Sequence, residues 1–370
     1  MSILAFILII GILIFIHELG HFLAAKKNGV GVVEFSIGFG PKMFSFVRKG
    51  TRYSVKWIPF GGYCMMLGDE TFLVGDTASE AAGEGTVVND DEHAFSKKSV
   101  WVRIAVIAAG PVFNFILALV LAVLLTAMVG ATTTKLGSVA EDYPAVEAGL
   151  QAGDEITKLD HTSVHLFKEI TLYMAMHSGE TLNVTYVRDG KTYETTLVPK
   201  WSAEENRYLI GITSAGRQEN LAFFDVLKYG WYEFGYNTGA VIKSLGMLFT
   251  GKASLNDLSG PIGMAGMVND IVDAVDQDTE GESFWTKFYW TFVNLLSFMT
   301  LISANLGVMN LLPIPGMDGG RLIFLFIEAI RGKPIEKKKE GIVTLIGFGI
   351  LILIMVAVFF NDIRKVFFHV

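Results

Sequence analysis

Four stretches of this chain, about Ser2–Ala25, Val100–Gly130, Trp285–Asn310 and Ile342–Phe360, are apolar and long enough to cross a bilayer as helices. A hydrocarbon core of about 30 Å takes roughly 20 helical residues. Lipid offers no hydrogen bonds, so each backbone N–H and C=O in such a stretch must be satisfied within it, which a helix does. Composition agrees: of 370 residues, 51% are hydrophobic and 18% charged, too apolar for an ordinary soluble domain of this length. A net charge of −7 without a large basic patch excludes nucleic acid as the partner. The one cysteine, Cys64, excludes an internal disulfide and a cysteine-based zinc site. Ser2–Ala25 lacks the basic start and small-residue cleavage site of a signal peptide and reads as a retained span.

The intervening segments differ in character. Val32–Phe39 and Arg52–Leu67 are β-rich, with Gly, aromatics, Pro41 and Pro59, and read as membrane-associated hairpins. Residues 68–99, with Asp69, Glu70, Asp76, Glu80, Glu84, Asp90, Asp91 and Glu92, read as an exposed acidic loop. From about Thr132 to Trp201 the composition becomes that of a soluble, mostly β domain, with Leu182–Arg188 and Tyr193–Val198 around a turn at Asp189–Gly190. Leu221–Thr250 is dense in aromatics but interrupted by Asp225, Lys228, Glu233 and Lys243, which suits a helix lying in the interface better than a span. The expected fold is a polytopic α-helical membrane protein with four transmembrane helices, a β-hairpin region and an inserted β domain. Its divisions are 1–130 (the N-terminal segment of the membrane core), 131–201 (β domain), 202–284 (linker with the interfacial helix) and 285–370 (the C-terminal segment of the membrane core).

Basic residues set the expected orientation. Lys26 and Lys27 close the first span, and Arg331, Lys333, Lys337, Lys338 and Lys339 fill the connection before the last. The positive-inside rule puts both in the cytoplasm, with the N-terminus, the region 131–284 and the C-terminus outside.

His17-Glu18-Leu19-Gly20-His21 is an HExxH sequence in the last third of the first span. Residues four apart share a helical face, so both imidazoles can meet one metal, with Glu18 beside them to take a proton from water. Chance produces HExxH in a chain this long with odds on the order of one in a hundred. Three ionisable side chains on one membrane helix are also expensive unless they hold something. A catalytic zinc takes three protein ligands and leaves one position open. The best third candidate is Asp318, in Asn310-Leu-Leu-Pro-Ile-Pro-Gly-Met-Asp318-Gly319-Gly320, where two prolines and a glycine break the helix. The alternative there is a turn at the membrane edge with a capping Asp. His161 and His165, also four apart but in the β domain without an adjacent Glu, read as surface residues. Depth is consistent: His21 precedes Lys26 by five residues, roughly 7.5 Å of helix. Asp318, 33 residues after Trp285, returns to that same side only if 221–250 does not cross.

These residues resemble the site-2 protease family of intramembrane metalloproteases, in its bacterial branch with a single extracytoplasmic PDZ domain. HELGH at His17–His21, Gly110-Pro111-Val-Phe-Asn114, and Asn310 through Gly320 are similar to the family's three membrane signatures in order. Phe60-Gly61-Gly62-Tyr63 and Ser259-Gly-Pro261-Ile-Gly263 are similar to further segments. Met317 and Phe60 depart from the usual residues but keep their apolar type. The resemblance implies Zn2+ on His17, His21 and Asp318, Glu18 as the base, and Asn305 as an Asn that handles substrate. Residues 143–156 resemble a PDZ motif, with Gly137, Ser138 and Val139 where the peptide-binding loop falls, and His161 replacing a usual Gly. It further implies a multi-pass protein of the bacterial cell membrane, with transmembrane proteins or peptides and the lipid bilayer as partners. Anti-sigma factors and leftover signal peptides are the implied substrates. Two other classes compete: a metal transporter, which predicts His or acidic residues on several spans, and a catalytically silent PDZ scaffold, against which the intact HExxH and its Asp argue.

Overall fold

The computed structural model describes residues 2–69, 91–251 and 259–368. The chain divides into two units, one of Met1–Ala118 with Val241–Val370 and one of Leu119–Ala240. In the first unit, helix α1 (Ser2–Lys27) is apolar around most of its circumference, the pattern of a helix surrounded by lipid and protein.

Strands β1 (Val32–Arg48) and β2 (Thr51–Met66) follow as one long bent hairpin. It turns at Lys49–Gly50, both at positive φ (49° and 73°), the backbone of the two-residue turns that match strand twist. Sequence suggested separate hairpins, but Pro41 does not end β1; it lies where the register shifts between Phe39 and Lys42. The bend lets residues 34–37 pair on both sides, with 62–65 and with 52–55. Among the described strands, residues 62–66 are thereby paired on one side only, as an edge. Glu34, 1% exposed, is satisfied by the Ser54 hydroxyl (2.5 Å) and the Tyr63 hydroxyl (2.6 Å).

Asp69, expected in an exposed loop, is instead buried and accepts two hydrogen bonds from Arg321 (2.9 and 2.8 Å). A carboxylate is tolerated there only because it is paired. Residues 70–90 of that expected loop, including Glu70 and Asp76 to Asp90, lie outside the described residues. Helix α2 (Val100–Val129) carries Pro111 inside it.

The second unit is built on strands β3 (Ala131–Thr132), β4 (Leu136–Val139), β5 (Glu155–Leu159), β6 (Thr162–Ser163), β7 (Leu182–Arg188), β8 (Lys191–Leu197), β9 (Lys200–Ser202), β10 (Arg207–Leu209), β11 (Ile212–Ser214) and β12 (Arg217–Gln218). Helices α3 (Pro144–Glu147) and α4 (Phe167–Met176) interrupt them. The main sheet runs β6-β5-β7-β8. The β7–β8 turn, Asp189–Gly190, has positive φ at both residues (47° and 76°), as an Asp-Gly hairpin requires. Leu136, Ile156, Leu159, Ile170 and Leu182 pack the core. Burial pushes the Asp154 carboxyl up, but two 2.7 Å hydrogen bonds from Arg188 and one from the Gln151 N–H outweigh it and hold it below the ordinary carboxylate range. The β structure continues past residue 201, since β11 pairs with β4 and β12 with β3.

Helix α5 (Phe223–Phe249) occupies the stretch expected to lie in the interface, and it is not among the helices apolar enough to span. Its polar and aromatic residues contact the β domain: Tyr232 stacks on His165 at 4.0 Å, and Lys168 pairs with Glu233 and lies 4.2 Å over the Tyr236 ring. His165 is therefore a packing residue as well as a surface one. Phe223, Phe224 and Trp231 remain exposed.

Back in the first unit are α6 (Pro261–Asp278), α7 (Phe284–Leu311), α8 (Asp318–Arg331) and α9 (Lys337–Phe368). Buried Asp362 of α9 accepts the N–H of Gly260 (3.1 Å) and of Gly263 (2.8 Å), capping α6 and explaining the Ser259–Gly263 segment. By length and composition α1, α2, α7 and α9 can each cross a membrane, the four spans expected from sequence.

Candidate metal centre

Local sequence places each candidate ligand. His17 and His21, one turn apart on α1, face α2 where it carries Gly110, and a side chain there would overlap both rings. Gly20 lies against the Ala109 carbonyl, so α1 and α2 touch backbone to backbone at this level. Asp318 is delivered by the break after α7. Pro313 and Pro315 cannot continue a helix, and α8 then begins at Asp318 itself. Gly319 and Gly320 follow because a Cβ at either would strike a carbonyl oxygen of the break, of Leu312 or of Ile314.

The three side chains converge. His17 Nε2 and His21 Nε2 are 3.2 Å apart, and Asp318 Oδ2 is 3.1 Å from the first and 3.3 Å from the second. Tetrahedral zinc with bonds of about 2.0–2.1 Å sets its ligand atoms about 3.3 Å apart, so this near-equilateral triangle has the size of one tetrahedral face. Asp318 Oδ2 is also buried without accepting a hydrogen bond, which a cation would remedy. The residues present fit Zn2+.

Glu18 lies at the same level. Its carboxylate accepts the backbone N–H of Cys64, and its Cγ is 3.5 Å from where a Cβ on Gly62 would be. The base candidate therefore adjoins residues 62–66, the free edge of the hairpin. Around the candidate ligands, Val106 O accepts from His21 Nδ1 at 2.9 Å, while Asn114 and Asn310 approach His17 Nδ1 at 3.2 and 3.4 Å.

Other sequence-based candidates fall elsewhere. Asn305 is half-buried on α7, five residues before Asn310, which is the Asn found at the ligands. Gly137, Ser138 and Val139 form β4 rather than an open loop, bonded along one edge to β11. Ser138 also meets the Thr213 hydroxyl at 2.6 Å. Among the described strands β4 and β11 form a two-stranded sheet, so each has one edge that pairs with no other strand. Sequence reasoning gave no role to Asn114 or Asn310, though both stand inside the membrane segments that carry the family resemblance.

The profile of Peptidase family M50 matches residues 5–354. A Clostridium acetobutylicum protein described as a candidate zinc metalloprotease is 38% identical over 357 residues, covering 96% of each chain. The regulator of sigma-W protease RasP of Bacillus subtilis is 32% identical over an alignment of 433 positions, covering 99% of each. The zinc metalloprotease RasP of Bacillus licheniformis matches to the same extent. Among solved structures, the PDZ domain of an SdrC-like protein from Listeria monocytogenes is 26% identical over 22% of this chain and 87% of that one, with a TM-score of 0.21.

Proposed function

Because this chain belongs to Peptidase family M50, whose relatives here include zinc metalloproteases, we propose that this membrane metalloendopeptidase cuts single-pass membrane proteins within their transmembrane segments. The observation that carries the reading is the ligand triangle, held by one helix of spanning length and composition and by the break that ends another. A transporter would spread such groups along a path; among the described residues they gather at one point.

The three ligands would hold Zn2+, whose chemistry when bound is Lewis-acid polarisation of a carbonyl and acidification of a water. Glu18 then serves as general base, taking a proton from the attacking water and returning it to the leaving amine. A transmembrane helix shields its own peptide bonds, so the substrate must be held extended. The free edge at 62–66, adjoining Glu18, suits this by adding the substrate as a further strand.

Substrates of the proposed kind are membrane anti-sigma factors, a reading supported by the sigma-W regulation for which the Bacillus subtilis relative is named, and signal-peptide remnants. Purified protein incubated with single-span membrane peptides should release products whose new ends lie inside the apolar segment. Cleavage confined to extramembrane loops would sink the intramembrane reading.

The proposed orientation rests on Lys26, Lys27 and the basic connection 331–339. Reporter fusions after Lys98, Trp201 and Lys338 should read inside, outside and inside. An outside signal at Lys338 would refute a metal centre near the cytoplasmic face.

A further inference from the structure

We infer that Asn114 is a positioning residue for the metal ligand His17, its carboxamide oxygen accepting the His17 Nδ1–H. The inference rests on the ligand set above and not on what the protease cuts.

A neutral imidazole carries one proton, and the nitrogen without it is the one that can ligate. In both histidines Nε2 points into the triangle with Asp318, so Nδ1 must hold the hydrogen. For His21 this is secured by Val106 O at 2.9 Å, a carbonyl that can only accept. His17 needs the same service, and Asn114 is in place to give it, with an amide terminus 3.2 Å from His17 Nδ1.

The orientation of that amide decides what it does. With its NH2 toward His17, two donors would face one another, and Asn114 Oδ1 would stay buried without a partner. Asn114 is fully buried, so bulk solvent does not reach that oxygen. A half turn about the terminal torsion exchanges the amide oxygen and nitrogen. Oδ1 then accepts from His17 Nδ1, which removes the donor clash and gives the buried oxygen a partner.

The placement is regular. Val106, Gly110 and Asn114 are spaced by four along α2, so one helical face presents an acceptor, an empty position and an acceptor to the two imidazoles. Asn114 is itself anchored, since its backbone carbonyl accepts the Ser303 hydroxyl at 2.8 Å. Asn310 approaches the same nitrogen at 3.4 Å but is only half-buried, which makes it the right comparison.

The test uses full-length protein in detergent, with zinc affinity measured by competition against a chromophoric chelator and thermal unfolding of the metal-free form as the check on folding. Removing such an outer partner lowers metal affinity by about 10–100-fold, the loss expected for N114A. The melting temperature of its metal-free form should hold. N114D, whose carboxylate accepts the same hydrogen, should restore affinity, and N310A should leave it at the parent value. Parent affinity in N114A, equal weakening in N114A and N114D, or a loss in N310A matching that in N114A would each overturn the assignment. Should N114D not fold, N114A read on its folded fraction decides alone. D318A, run alongside, keeps the questions apart: if it binds zinc like the parent, the ligand set is wrong rather than the role of Asn114.

Discussion

Purified protein in which Glu18 is replaced by Gln keeps zinc at about one per chain and loses turnover by about 10²–10⁴-fold, while D318A loses both. The two outcomes differ because the side chains occupy different places. Asp318 Oδ2 is one corner of the ligand triangle, 3.1 and 3.3 Å from the imidazole nitrogens. Without it two neutral ligands remain, and zinc binding weakens beyond what either imidazole can recover. Glu18 stands outside the triangle, held at Cys64 N–H beside the hairpin edge, and an amide of the same shape can occupy its place. What the amide cannot do is take a proton. Metal analysis by mass spectrometry and a cleavage assay on the same preparations read both effects. Zinc retained in D318A would remove the third ligand, and full turnover in E18Q would remove the base.

Sequence revealed most where structure depends on what is local. Span-forming helices show in hydropathy because lipid leaves a crossing backbone no other way to satisfy itself, and α1, α2, α7 and α9 match the four apolar stretches. The facing of His17 and His21 follows from helical spacing alone, and the turn at Asp189–Gly190 from the positive φ that Gly accepts and Asp tolerates. What stayed hidden depends on partners distant in the chain. Asp69 stands in a run of loop-type acidic residues, and its partner Arg321 is 252 residues away. His165 looked like a free surface residue because its stacking partner, Tyr232, lies far along the chain on α5, and only the fold brings the rings to 4.0 Å. The amides at His17 were illegible for the same reason. Asn305 and Asn310 both lie on α7, and only the meeting of α1, α2 and α7 puts Asn310, with Asn114, at His17. The Asp318 break was legible as two prolines and a glycine, whereas α8 directly after it was not, because Gly319 and Gly320 are poor helix formers whose place is explained only by the close approach of the Leu312 and Ile314 carbonyls.

Replacing Gly110 by Ala should abolish zinc binding, by more than the loss expected of N114A, although it adds a single methyl group. That methyl would lie 2.6 Å from His21 Cε1 and 2.8 Å from His17 Cε1, and closer still to His21 Nε2. Cβ atoms essentially never approach heavy atoms within 3.0 Å, so something must move. Withdrawing helix α2 would give up its close backbone packing against α1, where Gly20 lies against the Ala109 carbonyl one residue away. Nor can His21 slide along α2 without giving up its hydrogen bond to Val106 O. The imidazoles are left to rotate, and rotation opens a triangle whose edges of 3.1–3.3 Å are what zinc requires. Helix propensity works the other way, since Ala is favoured over Gly in a helix by about 1 kcal/mol. The comparison is Gly266 of α6, where a Cβ meets nothing within 4 Å. G266A should therefore keep zinc and turnover and unfold at the parent temperature or above. Equal zinc affinity in G110A and G266A would show that the imidazoles are not packed on α2 as described.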